Sequence, residues 1–295
     1  VSVKIQMIKF FAGIGNAEKK MEAKLAAPPR GGNKINRDHF TRKVRVKEWY
    51  TDGFGGITIN GSYTSKKHIL LLPGGAYTLE PSLRYVNISE YFALSQRIKV
   101  TIPFCPLSPE HNVLAVRQYL LHVYRSLIKE YPEDEFFFMG DFSGGGLALS
   151  FLQELRDIHD LPMPVKTAAI SPWLDITLDN PMIKIARKGD HLLPKEALKE
   201  AGMRYCGPLP SDHPFVSPIY GDWNHLGKIL IFSGTEDIMT PDCELLAERA
   251  GSLIGTELVY RKGAGMIHDW ILVSCRETDA TLELISNYFQ DSGEI

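Results

Sequence analysis

Cysteine is scarce in this chain. Its 295 residues hold four, Cys105, Cys206, Cys243 and Cys275, and no two stand in a Cys-x-x-Cys spacing. That scatter excludes a disulfide framework and a thiolate metal site, and it fits a reducing, cytoplasmic compartment. Long apolar runs are also missing. Nothing approaches the ~20 residues that a membrane-spanning helix needs. Lys4, Lys9, Lys19 and Lys20 interrupt the apolar residues of the first segment, so no signal peptide is expected there. An excess of one charge is lacking too, with 33 Lys and Arg against 35 Asp and Glu. The net charge of -2 argues against a nucleic-acid partner for the whole chain. Neither an internal repeat nor a low-complexity tract occurs. The local exception is the basic start: residues 1–49 carry twelve Lys and Arg and four Asp and Glu. A solvated face accounts for that imbalance, and a basic amphipathic segment meeting a membrane surface is the sharper alternative.

What is present is a hydrophobic content of 44%, enough for a large core. Val3, Ile5, Ile8, Phe11 and Ile14 fall near helical spacing, and Pro28 to Gly32 ends the pattern. Residues 42–50 and 56–63 alternate in strand fashion around Thr51-Asp52-Gly53, a hairpin signal. Beyond them, short continuous apolar runs alternate with helical patterns. The runs are 67–72, 98–102, 136–139, 165–170, 228–232 and 257–260. Helices are expected to about Leu94, over 113–131, to about Ile158, over 242–253 and to about Phe289. Runs without alternation belong to strands covered on both faces, so the fold class is α/β with a mostly parallel sheet. Residues 177–215 lose this rhythm. With 1–40 they read as a small helical cap, leaving 41–295 as the main domain.

The centre of the pattern is Phe136-Phe137-Phe138-Met139-Gly140-Asp141-Phe142-Ser143-Gly144-Gly145-Gly146. A strand ends at a glycine, a sharp turn follows, and a helix starts. Gly140 and Gly144 frame the turn as Gly-x-Ser-x-Gly frames a nucleophile elbow, but the central position holds Phe142. Serine is lacking in the one place where that motif needs it. Two arrangements answer this. Either Phe142 occupies the elbow in a strained conformation, or the turn slides by one residue and presents Ser143. The glycine frame favours the first. Asp237 and His268 follow at two later strand ends. The order Ser, Asp, His suits a hydroxyl activated by an imidazole that a carboxylate orients.

Other motifs complete a resemblance. Pro73-Gly74-Gly75-Ala76-Tyr77, Pro106 to His111, Gly140 to Gly145, Gly234 to Asp237 and Gly265 to His268 resemble, in order, five motifs of the hormone-sensitive-lipase-like carboxylesterases, over roughly residues 66–290. The resemblance implies an α/β-hydrolase fold and hydrolysis of short to medium acyl esters through an acyl-enzyme, with no cofactor and no metal. Its implied partners are a small-molecule ester, with a homodimer left open. It assigns Ser143, Asp237 and His268 as catalytic, with Ser143 a displaced nucleophile, and Gly74, Gly75 and Gly144 as oxyanion donors. Pro73 stands where the family usually has His. Phe142 has no nucleophilic atom, so the alternative is an inactive member that binds a small molecule in the same pocket. Glu110 and Asp141 read as structural anchors, and Cys105 and Cys243 as core or inert thiols. Tyr77, Trp173 and Trp270 line the pocket or simply pack.

Overall fold

The computed structural model describes residues 1–31, 35–60, 65–158 and 161–291. Eight strands form one sheet: β1 (Arg45–Thr51), β2 (Phe54–Asn60), β3 (Lys67–Leu72), β4 (Lys99–Pro103), β5 (Glu135–Asp141), β6 (Lys166–Ile170), β7 (Gly227–Glu236) and β8 (Thr256–Ile267). Their order across the sheet is β1-β2-β4-β3-β5-β6-β7-β8. The β1–β2 hairpin pairs antiparallel onto β4, and every later pairing is parallel. This is the mostly parallel α/β sheet expected from the alternating runs. Residues 61–64, the end of the second expected hairpin strand, lie outside the described residues.

The continuous apolar strands are explained by two cores. Leu70 and Leu72 of β3, with Phe136 and Phe138 of β5, join one cluster with α4 (Val113–Glu130) and α5 (Phe142–Ile158). Ile69, Leu71, Phe137 and Met139 join the opposite cluster with α3 (Arg84–Glu90) and α9 (Arg276–Gln290). Successive side chains point to opposite faces, so a strand covered on both sides must be apolar throughout. Helix α4 starts on a firm cap, with Asn112 Oδ1 accepting the N–H of Leu114 at 3.1 Å. Helix α8 (Thr240–Arg249) covers β7 and β8.

Helices α1 (Val3–Ile14) and α2 (Ala17–Ala26) lie against later segments. Between β6 and β7 the chain forms α6 (Ile183–Ala186) and α7 (Lys195–Cys206). Leu25 of α2 is buried with Leu198 and Tyr205 of α7, and Arg204 donates to the Leu25 carbonyl at 2.9 Å. Arg187 pairs with Glu18. Helix α1 sits over the far end of the sheet, where Lys9 pairs with Glu236 at 2.6 Å.

Strands β7 and β8 run further than their apolar runs suggest. Gly234, Gly263 and Gly265 read as turn residues, yet Gly234 pairs with Gly263, and after a register shift Glu236 pairs with Ile267. Glycine is required at 234 because a Cβ there would lie 2.2 Å from the Met266 carbonyl oxygen. The consequence is functional: Asp237 and His268 each leave the sheet one residue beyond a paired position.

Phe138 tests the packing. It is fully buried, stacked on Phe151 at 5.6 Å and edge-on to Tyr124 at 5.3 Å. Truncation to alanine removes that packing and leaves a cavity, so Phe138→Ala should destabilise the protein by about 3–5 kcal/mol in urea unfolding. Phe138→Leu should cost distinctly less, and equal losses for the two would contradict this packing.

Candidate active site

Strand β5 ends at Asp141 and α5 begins at once with Phe142. The turn is tight enough that a Cβ on Gly140 would meet the Gly144 carbonyl oxygen at 2.4 Å, and one on Gly144 would meet that of Leu72 at 2.0 Å. Residue 142 is thereby held at φ 47, in the left-handed region. A bulky side chain there costs about 1–3 kcal/mol. Phe142 is therefore the residue at the elbow, and Ser143 follows it in the first turn of α5. The Phe142 ring is almost fully buried. It stacks on Trp173 with centroids 5.2 Å apart and stands perpendicular to His268 at 4.5 Å.

The stack continues. Trp173 lies 5.7 Å from Tyr77, and Tyr77 stacks nearly parallel on Tyr205 of α7 at 3.7 Å. Four rings thus run from the elbow up into the helices above it. Burial pushes the phenols of Tyr77 and Tyr205 well above their ordinary range, which keeps both neutral. Tyr77 and Trp173, open between pocket and packing in the sequence, form this column, while Trp270 packs in the core below.

Ser143 is also buried, and its hydroxyl oxygen accepts the N–H of Tyr77 at 3.3 Å. No hydrogen bond joins Ser143 to His268 among the described residues. Of the expected oxyanion donors, Gly74 gives its N–H to the Tyr85 hydroxyl at 2.7 Å and lies 3.2 Å from Asp141 Oδ1. Gly75 has φ 146, and a Cβ there would lie 2.6 Å from the Leu79 carbonyl oxygen. Gly74, Gly75, Ser143 and Gly144 together line a cavity of about 30 Å³. That volume admits a water, which needs about 10–15 Å³, but not an acyl chain. A larger groove of about 520 Å³ opens beside it and shares Pro81, Cys105 and Leu107 with it.

Asp237 and His268 are brought together. His268 Nδ1 lies 3.0 Å from Asp237 Oδ1, and the same oxygen accepts the N–H of Met239 at 2.9 Å. Asp237 is fully buried. The other imidazole nitrogen, Nε2, has no hydrogen bond of good geometry, and Asp269 Oδ2 stands 3.1 Å from it. Asp269 reaches this place because its backbone is left-handed, at φ 47. Burial alone would push the imidazole down. The charges of Asp269 and Asp237 outweigh it and hold His268 well above the ordinary histidine range.

Asp141 completes the buried set. The Tyr85 hydroxyl donates to it at 2.6 Å from Oδ2, and burial, reinforced by the Asp269 charge, holds this carboxyl well above the usual range. Asp141 is accordingly an anchor between the elbow and the Gly74 loop. Glu110 is likewise structural, paired with Arg30 at 2.7 Å. Cys105 and Cys243 are inert thiols raised by burial. Among the described residues no cluster of His, Cys, Asp or Glu could hold a metal.

The sequence reading missed two residues of the site, Asp269 and Tyr85. Asp269 is adjacent to His268 in the chain, which was a usable signal. Its left-handed backbone was not readable, nor was the reach of Tyr85 from α3 to Asp141.

Comparison with known proteins agrees with the fold that holds these residues. A family model described as alpha/beta hydrolase fold matches residues 69–272. An acetyl-hydrolase of Streptomyces hygroscopicus is 29% identical over 203 residues, covering 68% of this chain and 67% of that protein. An esterase of Acinetobacter venetianus is 28% identical over 211 residues, covering 70% and 69%. The match thus spans about two thirds of these relatives. A solved esterase from the bacterial hormone-sensitive lipase family superposes with a TM-score of 0.83 over 99% of both chains, at 20% identity. A hormone-sensitive-lipase homologue from a metagenome library gives 0.80 over 97% and 96%, at 24%. At such identities these two likenesses concern the fold.

The ion pairing of His268 is directly measurable. Its folded-state pKa is raised, so the imidazolium contributes stability that is complete below the unfolded value of 6.5 and is lost as pH rises through the folded value. Histidine NMR should find His268 still protonated well above pH 6.5, and Asp269→Asn should lower its pKa. A His268 that titrates at or below 6.5 in the unaltered protein would overturn the assignment.

Proposed function

Because the chain belongs to the alpha/beta hydrolase fold family, and its five motifs are those of the hormone-sensitive-lipase-like members, we propose that it is a carboxylic-ester hydrolase whose covalent route is closed at Phe142. Esters of short to medium acyl chains are its substrate class, as the acetyl-hydrolase and esterase names of its relatives suggest. Asp237 and His268 are the retained acid and base. The cap over them is built from residues 1–40 and 177–215. A cytoplasmic setting fits the free cysteines, and no helix among the described residues is long and apolar enough to cross a membrane.

One observation carries this reading: the elbow residue is a phenylalanine whose ring stands against His268, while the neighbouring serine is tied to Tyr77. Carbon offers no lone pair to a carbonyl, so no acyl-enzyme forms at position 142. What remains is slower direct hydrolysis. Water attacks the ester carbonyl, His268 Nε2 takes the water's proton, and the backbone N–H groups of Gly75 and Ser143, the residue after the elbow, face the oxyanion. Collapse expels the alcohol, which takes the proton back from His268. An oxyanion hole and binding without a working triad still give about 10³–10⁴ over water. The acyl group enters only when the Phe142 ring gives way, which lowers the rate further. Neutral imidazole is the required base, so turnover rises with pH as His268 loses its proton.

The test is hydrolysis of p-nitrophenyl acetate and butyrate, with fluorophosphonate labelling and peptide mapping. The unaltered protein should turn over weakly and take no label, and Ser143→Ala should leave its rate unchanged. Phe142→Ser should gain at least about 10³-fold, since a working nucleophile is commonly worth more than that, and should be labelled at position 142. A labelled Ser143 in the unaltered protein, with activity lost in Ser143→Ala, would sink the closed route and make Ser143 the nucleophile.

A further inference from the structure

Helix α1 carries two apolar stripes where a surface helix carries one. The inner stripe is accounted for. Ile5 and Ala12 are buried, Ile8 is half-buried, and Ile5 packs in the cluster that holds Ile267, Trp270 and Ile271 on either side of His268. The outer stripe is Val3, Met7, Phe10 and Ile14, spaced 4-3-4, which places all four on one line along the opposite face. They are 72%, 52%, 64% and 64% exposed, and Phe11 beside them is 57% exposed. Scattered exposed apolar residues are ordinary, but five on one helix of twelve residues form a contiguous patch. Met182 just before α6 and Ile185 within it are also exposed, and Arg187 just beyond α6 pairs with Glu18 of α2.

Charge decides what covers this face. Helix α1 contains no Asp or Glu. On α2 and over residues 183–188, Glu18 and Arg187 pair with each other. The charges left without an ion pair there are Lys19, Lys20, Lys24, Lys184 and Lys188, against Glu22 alone. A second copy of this chain docked symmetrically would set lysines against lysines. A surface of anionic lipid answers both features, because it takes apolar side chains into its acyl boundary and attracts lysines to its headgroups.

We propose that α1, with the basic α2 and the 183–188 segment, is a docking face for an anionic lipid surface. The inner stripe of α1 packs around the His268 segment, and Lys9 of α1 holds Glu236, the neighbour of Asp237. A chain docked in this way keeps its ester site at the lipid boundary, where acyl esters partition. The inference stands on this face and does not depend on whether Phe142 has closed the covalent route.

Co-sedimentation with vesicles tests it. The full chain should bind vesicles of 3:1 phosphatidylcholine and phosphatidylglycerol, bind neutral phosphatidylcholine at least about tenfold less, and weaken with salt. Met7→Gln, Phe10→Gln and Ile14→Gln combined should reduce binding at least about tenfold with an unchanged circular dichroism spectrum, since these side chains touch solvent. Lys19→Glu with Lys20→Glu should abolish the preference for anionic vesicles. Absence of binding by the unaltered chain overturns the proposal. So does a dimer in light scattering that the triple variant converts to monomer while vesicle binding stays nil, because the stripe is then an interface between copies.

Discussion

Close approach of backbone at two glycines governs this site. With Gly144 against the Leu72 carbonyl and Gly140 against that of Gly144, the chain has one way to pass from β5 into α5, and residue 142 must take a left-handed conformation. That conformation is a property of the turn and not of serine. The parallel pairing of Leu72 with Gly140 holds the Gly74 loop beside it. The extended β7–β8 pair brings Asp237 and His268 to the same edge of the sheet. The backbone at 142 is therefore set by its neighbours, and the side chain there can change without moving the parts around it.

The electrostatics follow from the ring at position 142. In a working triad, Nε2 of the imidazole shares its hydrogen bond with the nucleophile's hydroxyl, and the imidazole is neutral at rest. An aromatic ring cannot accept that bond in the ring plane, so Nε2 is left to the nearest charge, which is Asp269. Two carboxylates on one buried imidazole favour the proton-bearing form strongly enough to overcome desolvation. Burial and the Asp269 charge also raise Asp141, so added negative charge is disfavoured in this buried set.

How much of this was legible in the sequence depends on whether the cause was local. Strands β3 and β5 were readable because two-sided burial writes itself as an unbroken apolar run. The elbow, Asp237 and His268 were readable because each stands at a strand end among glycines. The reach of β7 and β8 was not, because Gly234 and Gly263 look like turn formers when they are strand residues chosen for close approach to Met266. The occupied N–H of Gly74 was hidden for a different reason. It depends on Tyr85, eleven residues on in the chain and brought over by the path of α3. The second stripe of α1 was half visible: Val3 and Ile14 stood out, with Phe11 beside them, among the buried Ile5 and half-buried Ile8, and periodicity alone could not assign them to opposite faces.

The presence of phenylalanine at a strained elbow needs an energetic account, and the aromatic column supplies it. The left-handed backbone costs about 1–3 kcal/mol. Burying a phenylalanine side chain returns about 1.5–3 kcal/mol, and the stacked contact with Trp173 adds about 0.5–1.5 kcal/mol. These terms roughly cancel or leave the site slightly stabilised, so the fold bears no standing penalty for Phe142. A serine at the same position would keep most of the strain and lose the burial. It would gain a single hydrogen bond to Nε2, worth about 0.5–1.5 kcal/mol net. Nucleophile elbows are thus places where activity is maintained against stability. A chain that places phenylalanine there takes the more stable side of that exchange, and the Asp237–His268 pair stays assembled beside the ring.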